Sequence, residues 1–310
     1  MAECSFLSRR CPICGNKPPQ QAAIHSKVRA ESLPFDALIP HWNGFFKDRT
    51  FFSYARCEQC GLLFAPIFFN PDQLERLYAQ MPPNMAEVPL EALRRTQRGY
   101  FNALRKRSAL KGGYLEVGPD IGLFAENCVR EGQFAEYWLF EPNHSVLAKL
   151  FAVVAECNCH ISHDTLGFSD VPDRSVAAAV MIQVLDHLLD PVATLRQLRE
   201  KLGPNSRLLL VTHDESSLLQ RLFGSRWPAF CLQHPQIYSA KTTRTLLAAA
   251  GFDTLQQIKT RNYFTASFLL KHLLWALGVK VQSVPDLGHV TLGLKLGNIL
   301  TIATPEGEFK

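Results

Sequence analysis

An α/β fold, a doubly wound parallel sheet preceded by a small cysteine-bearing module, is what this 310-residue sequence predicts, and three observations carry the prediction. From Tyr114 onward, short apolar strands alternate with helical segments, the pattern of a parallel sheet. Gly113 to Gly122, GYLEVGPDIG, breaks an apolar strand into glycines, and the next strand, Tyr137 to Phe140, ends on Glu141. Near the start, Cys11-Pro-Ile-Cys14-Gly15 and Cys57-Glu-Gln-Cys60-Gly61 form two CxxCG pairs.

The length suits one large unit and one small one. Hydrophobic residues at 47% and charged residues at 20% exclude a disordered or low-complexity chain. The net charge of +5 is modest, although Arg94, Arg95, Arg98, Arg105, Lys106 and Arg107 crowd one helical segment. That cluster reads as a solvated helix face, with an anionic partner such as a nucleotide sugar or nucleic acid as the alternative. The start lacks the apolar run of a secretory signal, so the cytoplasm is the expected compartment. Nine cysteines in such a chain point to metal ligation before disulfides, and Cys128 and Cys157 read as small apolar core groups.

In chain order, 1–70 reads as a β-rich metal module and 71–110 as helical segments on the substrate side. Residues 111–310 read as the sheet domain, with a helical insert near 263–280. Pro71-Asp72 opens a helix through Gln80, and a charged helix runs from Leu90 to Leu110, stopped by Lys111-Gly112-Gly113. Then come YLEV, a helix from Leu123 to Glu131, YWLF, a helix from His144 to Val154, and CHI. Val176 to Ile182, VAAAVMI, is apolar throughout, as a strand covered on both faces requires. A helix from Pro191 to Leu202, a strand from Arg207 to Thr212 and a helix from Ala240 to Ala250 follow, and Asp253 to Ile258 and Gly297 to Thr304 close the sheet. Phe264 to Val279 is apolar but interrupted by Lys271-His272, shorter and more polar than the about 20 residues of a membrane span. It is expected as a helix over the cleft or core, or as a surface meeting lipid or another subunit.

Four thiolates from Cys11, Cys14, Cys57 and Cys60 make a tetrahedral shell with no vacant position, the pattern of structural zinc. An iron–sulfur centre is the alternative. The stretch Phe35 to Tyr54 between the pairs is expected to form a loop or hairpin facing substrate.

A strand, a glycine turn and an acid ending the next strand suit a nucleoside cofactor, with Gly118 and Gly122 allowing close approach and Glu141 holding a ribose diol. A dinucleotide fingerprint would need GxGxxG, but the chain places Gly118, Asp120 and Leu123 at those positions. S-adenosylmethionine, which has no pyrophosphate to cradle, fits better.

At these residues the chain resembles the class I S-adenosylmethionine-dependent methyltransferases, whose fold is Rossmann-like, particularly those with an N-terminal zinc-binding module. The family's first motif, (D/E)xGxGxG, is matched by Glu116, Gly118 and Gly122, with Asp120 in place of the central glycine, where its carboxylate is expected to reach the positively charged amino group of the methionine moiety. The resemblance places Glu141 at the ribose, Asp164 near the adenine and Gln183 beside the cofactor. Val184-Leu185-Asp186-His187-Leu188-Leu189-Asp190-Pro191 matches a motif after the fourth strand, often VLEHLxDP, and Trp227, His234 and Tyr238 fall on the substrate side. The resemblance implies methyl transfer to a small-molecule acceptor, a sugar, polysaccharide precursor or secondary metabolite.

Methyl transfer is an in-line displacement, so alignment matters most, and a base helps where the acceptor must lose a proton. His234, His187 and His213 are the candidates, all near the carboxyl edge of the sheet. Glu116 is expected to brace the glycine loop or meet the methionine amino group, and Asp186 to cap its turn. Two other readings stay open: an RNA-binding protein using the zinc module and the Arg-rich helix, and a pseudoenzyme in which Asp120 crowds the cofactor.

Overall fold

The computed structural model describes residues 5–42, 50–79, 88–163, 167–279, 281, 283–285, 287 and 290–307. Its centre is a seven-stranded sheet. The strands are β1 (Lys111–Val117), β2 (Gln133–Phe140), β3 (Cys159–Ser162), β4 (Val176–Ile182), β5 (Leu202–His213), β6 (Phe252–Lys259) and β7 (Asn298–Pro305). They lie in the order β6-β7-β5-β4-β1-β2-β3. The five strands from β5 to β3 are mutually parallel. β7 runs antiparallel between β5 and β6, a departure from the all-parallel expectation. Strand order reverses between β1 and β4, and a crevice at the carboxyl ends of such neighbours is where ligands of this architecture bind.

Helices cover both faces. Leu115, Val117 and Met181 face a core with Leu195 and Leu246, while Tyr114 and Val180 face the other with Phe101, Phe124 and Leu150. β4 is apolar along its length because both its faces are buried. Cys128 is fully buried as expected, whereas Cys157 is half-buried at the edge of that core.

Several boundaries shift. The charged helix ends at Arg105 instead of Leu110, with Lys106 as its C-cap; Leu110 takes a left-handed backbone (φ 50°), and Lys111-Gly112-Gly113 begins β1 instead of forming a stop. The helix from Pro191 ends at Lys201, where Leu202 already pairs with Val176. The segment from Phe264 starts as a strand: Asn262–Thr265 pairs with Thr291–Leu294, and the helix spans Ala266–Leu277. That helix contributes Phe268 to a small core with Val88 and Ala92, and leaves Leu273 and Leu277 exposed. Among the described residues no helix is long and apolar enough to cross a membrane.

Part of the Arg-rich helix is paired within the molecule. Arg94 pairs with Glu126, and Arg98 and Arg105 pair with Glu131. Arg95 lies over the Tyr263 ring at 4.2 Å.

The front segment does not bury its aromatic residues by itself. Leu63–Phe64 pairs with Ala55–Arg56 on one side and on the other with Gln236–Ile237, which lies beyond β5. Trp42, Phe51, Phe52 and Tyr54 share one core with Trp227, Phe230 and Leu232. Arg56 adds a two-pronged ion pair to the buried Glu215, at 2.9 and 2.7 Å. A segment this short exposes too much surface to be stable alone, and the loop after β5 supplies the missing half.

Candidate active site

The two CxxCG turns are built alike. The Gly15 amide donates to the Cys11 carbonyl and the Gly61 amide to the Cys57 carbonyl, each at 2.9 Å, curling both pairs toward a common point. Cys11 Sγ lies 3.4 Å from Cys60 Sγ and Cys14 Sγ 3.4 Å from Cys57 Sγ, and four ligand sulfurs lie within 4.8 Å of one another. The set is compatible with one tetrahedral ion.

At the sheet edge, Gly118 follows β1 with φ 69°, and a Cβ there would stand 2.6 Å from Val184 Cγ2. Gly122 caps the helix Leu123–Glu131 at φ 79°, closed in by Leu150 and Val153. Between them Asp120 also takes a left-handed backbone, φ 52°. The family's central glycine suits that geometry, and aspartate is one of the few other residues that enter it readily. The Glu141 carboxylate spans the turn, its Oε2 accepting from the Asp120 amide and its Oε1 from the Asn143 amide, both at 2.8 Å.

The floor is acidic. Glu116 is buried, accepts a 2.6 Å bond from the Tyr114 hydroxyl, and is pushed up to about 8 by burial, with Glu141 and Asp120 adding repulsion. Burial also raises Asp120 and Glu141. Three carboxyl groups held out of water with raised affinity for positive charge suit a cationic ligand. Gln183, just past β4, is itself left-handed (φ 56°), and both polar atoms of its buried amide lack a hydrogen-bond partner among the described residues. A buried amide of that kind calls for an explanation, and a polar ligand is one. S-adenosylmethionine, a cation with hydroxyl and purine groups, fits this set. Asp164 lies outside the described residues.

The structure brings the three candidate histidines together. The His234 ring lies 4.8 Å from both the His187 and His213 rings. Fully buried Asp186 accepts at Oδ2 from the His213 amide at 3.0 Å and from His213 Nδ1 at 2.6 Å. A carboxylate on Nδ1 assigns the proton there and leaves the lone pair on Nε2. Asp186 thus holds His213 by its amide and its imidazole instead of capping its own turn, where no side-chain cap hydrogen bond forms. His234 Nδ1 lies 2.7 Å from the Ala229 carbonyl, and His187 Nδ1 lies 3.1 Å from the Tyr78 hydroxyl. Ligand atoms of Asp186, His213 and His234 also lie within 4.8 Å of one another, but the short Asp186–His213 contact is that of a hydrogen bond rather than of two ligands around an ion.

Tyr54 and Tyr78 went unrecognised in the sequence, and both reach this cluster from the front. The Tyr54 hydroxyl donates to the His234 carbonyl at 2.6 Å, so the stretch between the cysteine pairs does approach the histidines. Trp227 stands 6.0 Å from the His213 ring, while Tyr238 is fully buried. A separate groove of about 510 Å³ between Arg10, Ile13 and the helix Pro191–Lys201 contains no residue of the glycine turn or the histidine cluster.

Comparison with known proteins agrees with this geometry. The profile of a methyltransferase domain matches residues 90–257, just over half of the chain. No protein with a curated description matches. Among solved structures, a S-adenosylmethionine-dependent methyltransferase from Leishmania major aligns with TM-score 0.51 and 12% identity, over 75% of this chain and 81% of its own. The YcgJ protein of Bacillus subtilis aligns with TM-score 0.51 and 15% identity, over 68% of this chain and 100% of its own. At such identities the likeness speaks for the fold. With the profile match, the strand order and the glycine turn together, the chain belongs to the methyltransferase domain family and has the class I methyltransferase fold.

Proposed function

We propose that this protein is a cytoplasmic S-adenosylmethionine-dependent methyltransferase acting on a small-molecule acceptor with an ionisable proton, a sugar, polysaccharide precursor or secondary metabolite, and that its four cysteines hold a structural zinc ion. The observation that carries the reading is the His213–Asp186 pair at 2.6 Å at the same sheet edge as the glycine turn.

The bound cofactor supplies an activated methyl group on a sulfonium. Glu141 has lone pairs remaining that would take the ribose hydroxyls while it holds the Asp120 amide, and the unpartnered Gln183 amide would hold a polar group of the nucleoside. Glu116 and Asp120 favour the positive charge of the methionine end. On the acceptor side, His213 Nε2 takes the proton from the acceptor, and Asp186 stabilises the imidazolium that results. His187, His234 and Tyr78 orient the acceptor and keep water from it. Residues 1–70 act as the metal module, 71–110 as the substrate-side helices and 111–310 as the methyltransferase domain.

The test is calorimetry with S-adenosylmethionine and S-adenosylhomocysteine, followed by mass spectrometric screening of hydroxylated small molecules for a methyl adduct. A protein that binds neither compound would sink the reading. The partner-binding pseudoenzyme would then stand in its place.

A further inference from the structure

The strand Gln236–Ile237 does more than extend the front sheet. Gln236 is fully buried, and its Nε2 donates to the Leu188 carbonyl at 2.7 Å and the Leu185 carbonyl at 3.3 Å. Those carbonyls bracket Asp186 and His187, which lie in a single 3-10 turn, Leu185–His187. The Oε1 of Gln236 accepts from Arg9 Nη2 at 2.9 Å. Arg9 Nη2 also reaches the Leu189 carbonyl at 2.9 Å, and Nη1 reaches the Pro235 and Ala65 carbonyls at 3.1 and 3.4 Å.

Arg9 stands two residues before Cys11, is 8% exposed, and has no carboxylate among its hydrogen-bond partners among the described residues. A guanidinium so placed is costly to bury unless its donors are used, and here four oxygens from three segments receive them. The arrangement is a strut. One end is fixed beside the first cysteine pair, where the Arg9 amide donates to the Pro66 carbonyl at 2.7 Å, and the other holds the turn that carries Asp186.

We propose that Arg9 and Gln236 are positioning residues that couple the cysteine module to the Leu185–His187 turn, keeping the Asp186 carboxylate on His213 Nδ1 and leaving the cofactor crevice untouched. The catalytic meaning of this coupling rests on reading His213 as the base. The coupling itself does not.

The experiment records the two-bond 1H–15N spectrum of the His213 imidazole in the full chain, with S-adenosylhomocysteine binding measured in parallel by calorimetry. The native protein is expected to show a single tautomer, protonated at Nδ1. Gln236→Leu removes both ends of the link, and Gln236→Glu keeps an acceptor for Arg9 while removing the donor to Leu185 and Leu188. Both are expected to lose the single tautomer and to keep the ligand affinity. An unchanged His213 spectrum in both variants overturns the proposal. Loss of ligand binding together with the tautomer, or failure of both variants to fold, overturns it as well, because Gln236 would then be a general folding residue. Undiminished methyl transfer by His213→Ala would instead remove the base assignment and leave this result standing, since the spectrum needs no acceptor.

Discussion

The Asp120 amide donates to Glu141 Oε2 at 2.8 Å, so the acid that ends the second strand of the sheet is tied across the glycine turn that follows the first. Glu141 is 5% exposed, and its other oxygen holds the Asn143 amide. Its carboxylate is therefore oriented by the backbone before any ligand arrives. Glu141→Ala is expected to weaken cofactor binding by roughly 1.5–3 kcal/mol, the worth of hydrogen bonds to a charged group. Calorimetry with S-adenosylhomocysteine reads this directly, and unchanged affinity would contradict the pocket.

Glu116 gives a pH dependence of definite sign. Burial raises its folded-state value to about 8, so between about 4.5 and 8 the folded protein holds a proton that the unfolded chain releases. That contribution to stability is complete below about pH 4.5 and is lost as pH rises through about 8. Binding of a cation favours the ionised form, so cofactor affinity should rise across the upper part of the same window. Glu116→Gln is expected to flatten both profiles, as thermal melts and binding titrations at several pH values would show.

Asp120 separates enzyme from pseudoenzyme. Its backbone is already left-handed, so Asp120→Gly should fold with stability within about 1 kcal/mol of the native chain. Weaker cofactor binding by the glycine variant is the expected result, because the Asp120 carboxylate favours the positive charge of the methionine end. Binding by the glycine variant alone would show that the carboxylate crowds the crevice.

His213→Ala and Asp186→Asn should each lower methyl transfer by about 10²–10⁴-fold, the usual worth of a positioned base, with cofactor affinity retained. Quantitative mass spectrometry of the methylated acceptor measures the first and calorimetry the second. His187→Ala and His234→Ala are expected to act mainly through KM.

Cys57→Ser is expected to release the metal and to unfold the front segment, read by elemental analysis and circular dichroism. Because Trp42 and Trp227 lie in one shared core, tryptophan emission should shift to the red in the same transition. A folded, metal-loaded variant would refute the site.

Local signals made much of this protein legible. The glycine turn, the acid at 141 and the uninterrupted apolar run of the fourth strand each reflect short-range constraints of backbone geometry or burial, and such constraints are written in adjacent residues. The paired CxxCG turns are legible for the same reason. Leu110, by contrast, looks like a continuation of its helix, and only its left-handed backbone shows where the chain turns into the sheet.

The sequence by itself determined the parallel strands of the sheet, the glycine turn and the four-cysteine set. Tertiary structure alone decided that His213 meets a buried carboxylate, since Asp186 and His213 follow neighbouring strands and nothing in their spacing announces a 2.6 Å contact. It likewise decided that Arg9, Gln236, Tyr54 and Tyr78 belong near that pair. The physical reason is one of range: strand periodicity and turn chemistry act over a few residues, whereas a buried hydrogen bond between distant segments exists only once the sheet edge, the front strands and the shared aromatic core have been brought together.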